Sequence, residues 1–217
     1  MIGAFFDMDN TLLSASSGLL YLRYLRQHGY LPLSQWAQIM TWVGLYLAGA
    51  LRFPAMMSRL MVLSAGSSEA EAWRMSNEWF QAMLRHYIAP GARERVAWHR
   101  AQGHQVAIVS ASTPYAVHPV AQALDLGEAY LSTRLEVIDG RFTGRVIAPA
   151  CYDEGKLILA RDYAARHGID LAQSYFYSDS HRDLPLLEAV GHPVAVNPNR
   201  RLARLAAARG WPVMCFY

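Results

Sequence analysis

The sequence predicts an α/β fold: a parallel sheet covered by helices on both faces, with an all-helical insert after its first strand. Three observations predict it. Ile2 to Phe6 is a short unbroken apolar run, suited to a strand buried on both faces. From about Gly18 to Tyr87 the chain is rich in Leu, Met, Trp, Ala, Arg and Gln and lacks strand-like alternation. Beyond Pro90-Gly91, strands alternate with helices, the pattern of a parallel sheet with crossover connections. At 217 residues, 53% hydrophobic and 17% charged, the chain is long enough for a sizeable core and is not a disordered one.

The helical stretch breaks near Gly29 to Pro32, near Phe53-Pro54 and at Ala65 to Ser68. Ser68 and Glu71 have the spacing of a capping box at the last of these. Met40, Trp42, Met56, Met57 and Met61 are expected to pack the inserted helices. Next come a helix over Ala92 to Gln102, a strand over Gln105 to Val109 and a helix over Pro114 to Leu124. Leu131 to Ile147 reads as a hairpin turning at Asp139-Gly140. Helices over Lys156 to His167, Leu184 to Val190 and Arg200 to Arg209 alternate with strands at Ser174 to Tyr177, Val194 to Val196 and Pro212 to Phe216.

Composition narrows the function. The net charge is only +3 and no run of Lys and Arg is concentrated, so no nucleic-acid partner is expected. Two cysteines, Cys151 and Cys215, are too few for a disulfide scaffold and lack metal-ligand spacing; packing roles and a reduced, cytoplasmic compartment are expected. The eight histidines show no HxH or HExxH spacing, so no zinc site is expected. The apolar start is too short for a signal peptide and lacks a basic flank. Trp36 to Leu51 raises a membrane question, because no formal charge falls between Arg26 and Arg52. His28, Pro32, Ser34, Gln35 and Gln38 dilute the first half of that span, which favours a buried or interfacial helix over one crossing a bilayer.

In a parallel sheet, ligands bind beyond the carboxyl ends of the strands. Asp7, Asp9 and Thr11 follow the first strand, Ser110 follows the second, Asp179 and Asp183 follow Tyr175 to Ser178, and Lys156 opens a helix after Gly155. Carboxylates suit a hard cation, and a hydroxyl and an ammonium suit phosphate oxygens, so the set fits a magnesium–phosphate site. Taken singly, each has a plainer reading. Asp9-Asn10-Thr11 is also a turn and helix cap, Lys156 a solvated lysine, Ser110 a strand end and Asp183 a helix cap. Their joint placement at strand ends is what separates the two readings.

Asp7-Met8-Asp9-Asn10-Thr11-Leu12 resembles the DxDxT signature of the haloacid-dehalogenase-like superfamily, and Ser110, Lys156 and Asp179-Ser180-His181-Arg182-Asp183 match its other motifs in order. The resemblance implies a Rossmann-like core over residues 1–15 and 88–217, and a type-one helical cap over 16–87, as in the phosphoserine-phosphatase-like branch. It implies Asp7 as nucleophile and Asp9 as general acid and base. Magnesium would lie on the Asp7 carboxylate, the Asp9 carbonyl and Asp179. Ser110, Lys156 and Thr11 would hold phosphate, Thr11 also supporting the Asp9 loop, with Asp183 in support of the cluster. Members that cleave carbon–halogen or carbon–phosphorus bonds lack the second aspartate, so Asp9 points to phosphate esters, with a mutase as the minor alternative. DMDNTLL, VSAS and YSDSHRDLPLL also resemble histidinol-phosphate phosphatases, making phosphoserine and histidinol phosphate the two named substrates. Arg59 and Arg182 are substrate-contact candidates; His181 is expected at the rim. Ser16 stands where phosphoserine phosphatases carry a cap glutamate, a departure that counts against phosphoserine. Two alternatives stay open: a membrane-surface phosphatase acting on a lipid phosphate, and a phosphate-binding regulator without turnover.

Overall fold

Gly3–Phe6 forms β1, buried along its whole length. The computed structural model describes all 217 residues and places β1 inside a six-stranded sheet. Its neighbours on one side are β2 (Gln105–Val109) and then β3 (Tyr130–Leu131); on the other are β6 (Tyr175–Ser178), β7 (His192–Val196) and β8 (Val213–Met214). Every pairing is parallel. Successive β1 side chains enter opposite cores, as the two-residue period of a strand requires. Ala4 and Phe6 join the layer under α5 (Pro90–Ala101) and α6 (Pro114–Ala123). Phe5 joins the layer under α7 (Glu154–His167), α8 (Leu184–Ala189) and α9 (Arg200–Arg209). The chain winds outward from β1 to β3, then returns to build β6 to β8 on the other side. The strand order therefore switches beside β1, where an open parallel sheet forms its binding crevice.

The insert comprises α1 (Ser17–Gln27), α2 (Leu33–Leu47), α3 (Phe53–Val62) and α4 (Glu69–Ala82). Pro54 lies in the first turn of α3, where its missing N–H costs no hydrogen bond. The Ser68 hydroxyl accepts the Glu71 N–H at 3.4 Å, but the Glu71 carboxylate pairs with Arg74, so only half of the expected capping box forms. Leu20 and Tyr24 from α1 and Trp79 and Phe80 from α4 reach the first core layer. α2 behaves differently. Ile39 is its only buried residue, so the buried-helix reading of Trp36 to Leu51 does not hold. No helix is long and apolar enough to cross a membrane. Of the Met and Trp residues expected to pack these helices, Met56 alone is buried.

The predicted hairpin is β4 (Leu135–Ile138) and β5 (Arg141–Val146), a separate two-stranded sheet. Asp139 and Gly140 at its turn both have positive φ, 50° and 71°, as a tight hairpin turn demands. The Phe142 N–H donates to Ser67 O (3.0 Å), the Gly66 N–H to Phe142 O (2.8 Å) and the Glu69 N–H to Gly140 O (2.9 Å). The hairpin is thus bonded to the loop before α4 and stands apart from the six-stranded sheet.

Candidate active site

Where β1 ends, the Asp7 N–H donates to Tyr177 O at 2.8 Å, continuing the sheet for one more residue. The chain then turns tightly over Met8–Leu12, closed by the Leu13 N–H on Met8 O at 2.9 Å. Asp9 is extended, and Asn10 takes φ 55°, a left-handed conformation that Asn tolerates. This turn projects two carboxylates from one strand end.

Asp7 is 6% exposed, and its Oδ1 lies 2.6 Å from Lys156 Nζ. The same ammonium donates to Asp183 Oδ2 at 2.8 Å, and that oxygen also accepts the Ser178 hydroxyl at 2.7 Å. Burial pushes the Asp7 carboxyl well up, against the Lys156 charge, and Asp183 and Asp179 push the same way. Burial works against the Lys156 ammonium, yet the Asp183 and Asp7 carboxylates hold its pKa above the ordinary value. Gly155 lets Lys156 reach this depth: a Cβ there would lie 1.9 Å from the Ala150 carbonyl oxygen.

Asp9 is held from two directions. Its Oδ1 accepts the Ser17 N–H at 2.6 Å, at the start of α1, and its Oδ2 accepts the Ser112 hydroxyl at 3.2 Å. Ser17 Oγ and Ser112 Oγ are 2.9 Å apart. Since the Ser112 proton is spent on Asp9, the Ser17 hydroxyl donates to Ser112. Burial raises the Asp9 pKa; these hydrogen bonds pull it down. Ser110 is buried, and its Oγ accepts the Ser112 N–H at 3.1 Å. The Thr11 hydroxyl is buried beside the Asp9 turn without a hydrogen-bond partner from the protein.

Asp179 is half-buried at the end of β6. Burial raises its pKa to about 7, Asp183 and Asp9 add to the rise, and Lys156 opposes it. Asp7 and Asp183 pair with one ammonium, and Asp9 and Asp179 feel its charge, so carboxylates outnumber it. No group of three acidic, His or Cys side chains converges into a preformed metal cage. The donor set nevertheless fits Mg²⁺, which takes one or two carboxylates and completes its shell with water and phosphate oxygens.

Two predicted residues stand outside the hydrogen-bonded Asp7–Lys156–Asp183 cluster. Arg59 is exposed on α3, its guanidinium 5.9 Å from the Trp42 ring centroid. Arg182 is half-buried, donates to the Tyr152 hydroxyl and sits 4.9 Å over the Tyr46 ring of α2. Sequence reading missed Ser17, Ser112 and Ser178. Ser112 and Ser178 fall inside the motif stretches and offered the only signal; Ser17 offered none.

With this geometry in view, comparison with known proteins is direct. The family model of haloacid dehalogenase-like hydrolases matches residues 4–188. A histidinol-phosphatase of Neisseria meningitidis is 32% identical over 218 residues, covering 98% of each chain. A phosphoserine phosphatase of Mycobacterium tuberculosis is 34% identical over 219 residues, covering 98% of this chain and 70% of that one. The crystal structure of a Bordetella pertussis protein of unknown function superposes with TM-score 0.92 at 32% identity, covering 99% and 98% of the two chains. The chain belongs to the haloacid dehalogenase-like hydrolases. Within them it is a phosphatase.

Proposed function

We propose that the protein is a magnesium-dependent phosphomonoesterase acting through an aspartyl-phosphate on Asp7, with a small, amino-acid-like phosphate ester as substrate. The observation that carries this reading is the buried Asp7–Lys156–Asp183 cluster with Asp9 held beside it. Lys156 engages Asp7 Oδ1, leaving Oδ2 to attack phosphorus in line. Attack by a carboxylate converts one difficult displacement into two easier ones. Asp9 protonates the leaving ester oxygen and then takes a proton from the attacking water, help typically worth ~10²–10⁴-fold. Ser110 and Lys156 hold the phosphoryl oxygens where charge is greatest in the transition state. Asp183 positions Lys156, and Ser178 positions Asp183. Asp7, the Asp9 carbonyl and Asp179 would hold magnesium, which would supply charge neutralisation between an anionic nucleophile and an anionic substrate. The helices of residues 16–87 act as the cap: Ser17 at the start of α1 holds Asp9, and Tyr46 near the end of α2 packs on Arg182, contacts that shield the site from water.

The substrate class rests on the names of the relatives, a histidinol-phosphatase and a phosphoserine phosphatase. The test is phosphate release across a panel of phosphoserine, histidinol phosphate, sugar phosphates and lysophosphatidate, with and without Mg²⁺, in wild type and Asp7→Asn. Magnesium-dependent release that vanishes in Asp7→Asn is expected. Undiminished release by Asp7→Asn sinks the covalent mechanism.

A further inference from the structure

The outer face of α1 and α2 is apolar, basic and without an acidic residue. Leu33 and Leu47 of α2 are 61% and 76% exposed, and Leu19 of α1 is nearly half exposed. Between the two helices runs a groove of about 410 Å³, lined by Leu19, Leu33, Trp36 and Met40, with Arg23 and Arg26 beside them. No Asp or Glu occurs from Asn10 to Ser68, whereas Arg23, Arg26, Arg52 and Arg59 all do. A water-facing helix ordinarily alternates an apolar stripe with a charged face. α2 carries no formal charge over Leu33–Leu47 and buries only Ile39.

We propose that this face docks on the surface of an anionic lipid bilayer, with α2 lying in the interfacial plane and Arg23 and Arg26 meeting the headgroups. The chemistry is that of an interfacial helix, whose apolar side chains enter the acyl boundary while neighbouring arginines meet anionic lipid. At 15 residues α2 spans roughly 22 Å, short of the ~30 Å hydrocarbon core, so it lies along the membrane. Charge argues against the other obvious occupant, a second copy. A two-fold contact over this face would gather Arg23 and Arg26 of both copies into one interface, with no carboxylate in the same stretch to pair them. This inference goes beyond the phosphatase reading and does not depend on turnover.

The test is co-sedimentation of the full chain with extruded vesicles of phosphatidylcholine alone or mixed with phosphatidylglycerol. Each arginine near an anionic surface strengthens partition by roughly fivefold, so Arg23→Glu with Arg26→Glu should lower it by at least about twentyfold. Pelleting with the mixed vesicles, weakened by salt, is expected. Leu19→Ser with Leu33→Ser should also lose it, while both double variants keep the wild-type circular dichroism and melting midpoint. Absent pelleting, equal pelleting with neutral vesicles, or binding unchanged by charge reversal overturns the proposal. So does a solution dimer that Leu19→Ser with Leu33→Ser dissociates, which would assign the face to a second copy.

Discussion

Lys156 Nζ lies 2.6 Å from Asp7 Oδ1 across 149 positions of sequence, in a site where both side chains are under a tenth exposed. The contact joins the first turn of α7 to the end of β1, and through Asp183 it also reaches the segment after β6. Three separate crossovers of the sheet therefore converge on one ammonium. Removing it leaves two buried carboxylates facing each other.

Lys156→Met is expected to lower phosphate release by about 10²–10³-fold and to destabilise the fold by roughly 3–5 kcal/mol, as breaking a buried pair does. Lys156→Arg should not restore activity, since a planar fork cannot occupy the position of a point charge. Phosphate assay and urea unfolding check both. A variant that kept wild-type turnover would remove Lys156 from the mechanism.

Ser112→Ala should reduce kcat by about tenfold with little change in KM, because it releases one oxygen of the proton-transferring Asp9. The accompanying loss of stability is about 1 kcal/mol. Equal kcat in the two proteins would show that Asp9 needs no hold from this side.

Gly155→Ala is predicted to impair both folding and turnover, since its Cβ meets the Ala150 carbonyl at 1.9 Å and the segment carrying Lys156 must move. Gly191→Ala makes an equally close approach to the Ala172 carbonyl, far from Asp7 in the chain. Each clash should cost roughly 1–3 kcal/mol or more. Michaelis parameters under folded conditions separate them: Gly191→Ala should keep kcat, and Gly155→Ala should not.

His99 supplies a pH dependence. It is fully buried, and its Nε2 meets the Tyr177 hydroxyl at 2.8 Å and its Nδ1 meets His104 Nδ1 at 2.8 Å. Burial, then the neighbouring His104 and Arg95 charges, push its pKa down from 6.5 to about 3. Tyr175 and Trp98 close the remaining sides. A depressed histidine binds fewer protons folded than unfolded, so its contribution to stability is complete above 6.5 and declines as pH falls toward 3. The raised Asp179 works in the opposite direction: its contribution is present at low pH and is lost as pH rises through about 7. The urea-midpoint difference between wild type and His99→Gln, followed from about pH 8 to about pH 4, should shift against wild type as pH falls, since only wild type loses the His99 contribution. Parallel profiles would rule His99 out as the source.

Much of this arrangement is legible in the amino-acid order. Short apolar runs such as Gln105–Val109 announce strands buried on both faces, and residues at strand ends must fall on one rim of a parallel sheet. That logic collects Asp7, Ser110 and Asp179 without coordinates. It does not reach contacts between residues whose types are common everywhere. The Ser17–Ser112 pair spans 95 positions, and hydroxyls carry no periodic signal to link them. Arg182 meets Tyr46 only because α2 folds back toward the site, and helix propensity says nothing about where a helix goes. The hairpin's bonds to Gly66–Glu69 were hidden for the same reason. An apolar helix left unburied, as α2 is, also contradicts the ordinary inference from hydropathy.

The sheet ends at both margins in a strand of only two residues, Tyr130–Leu131 on one side and Val213–Met214 on the other. Margins that short expose few free N–H and C=O groups, too few to template another chain. The six-stranded sheet is therefore guarded against strand-to-strand aggregation, so a crowded solution should threaten this protein through its uncovered helices and not through that sheet.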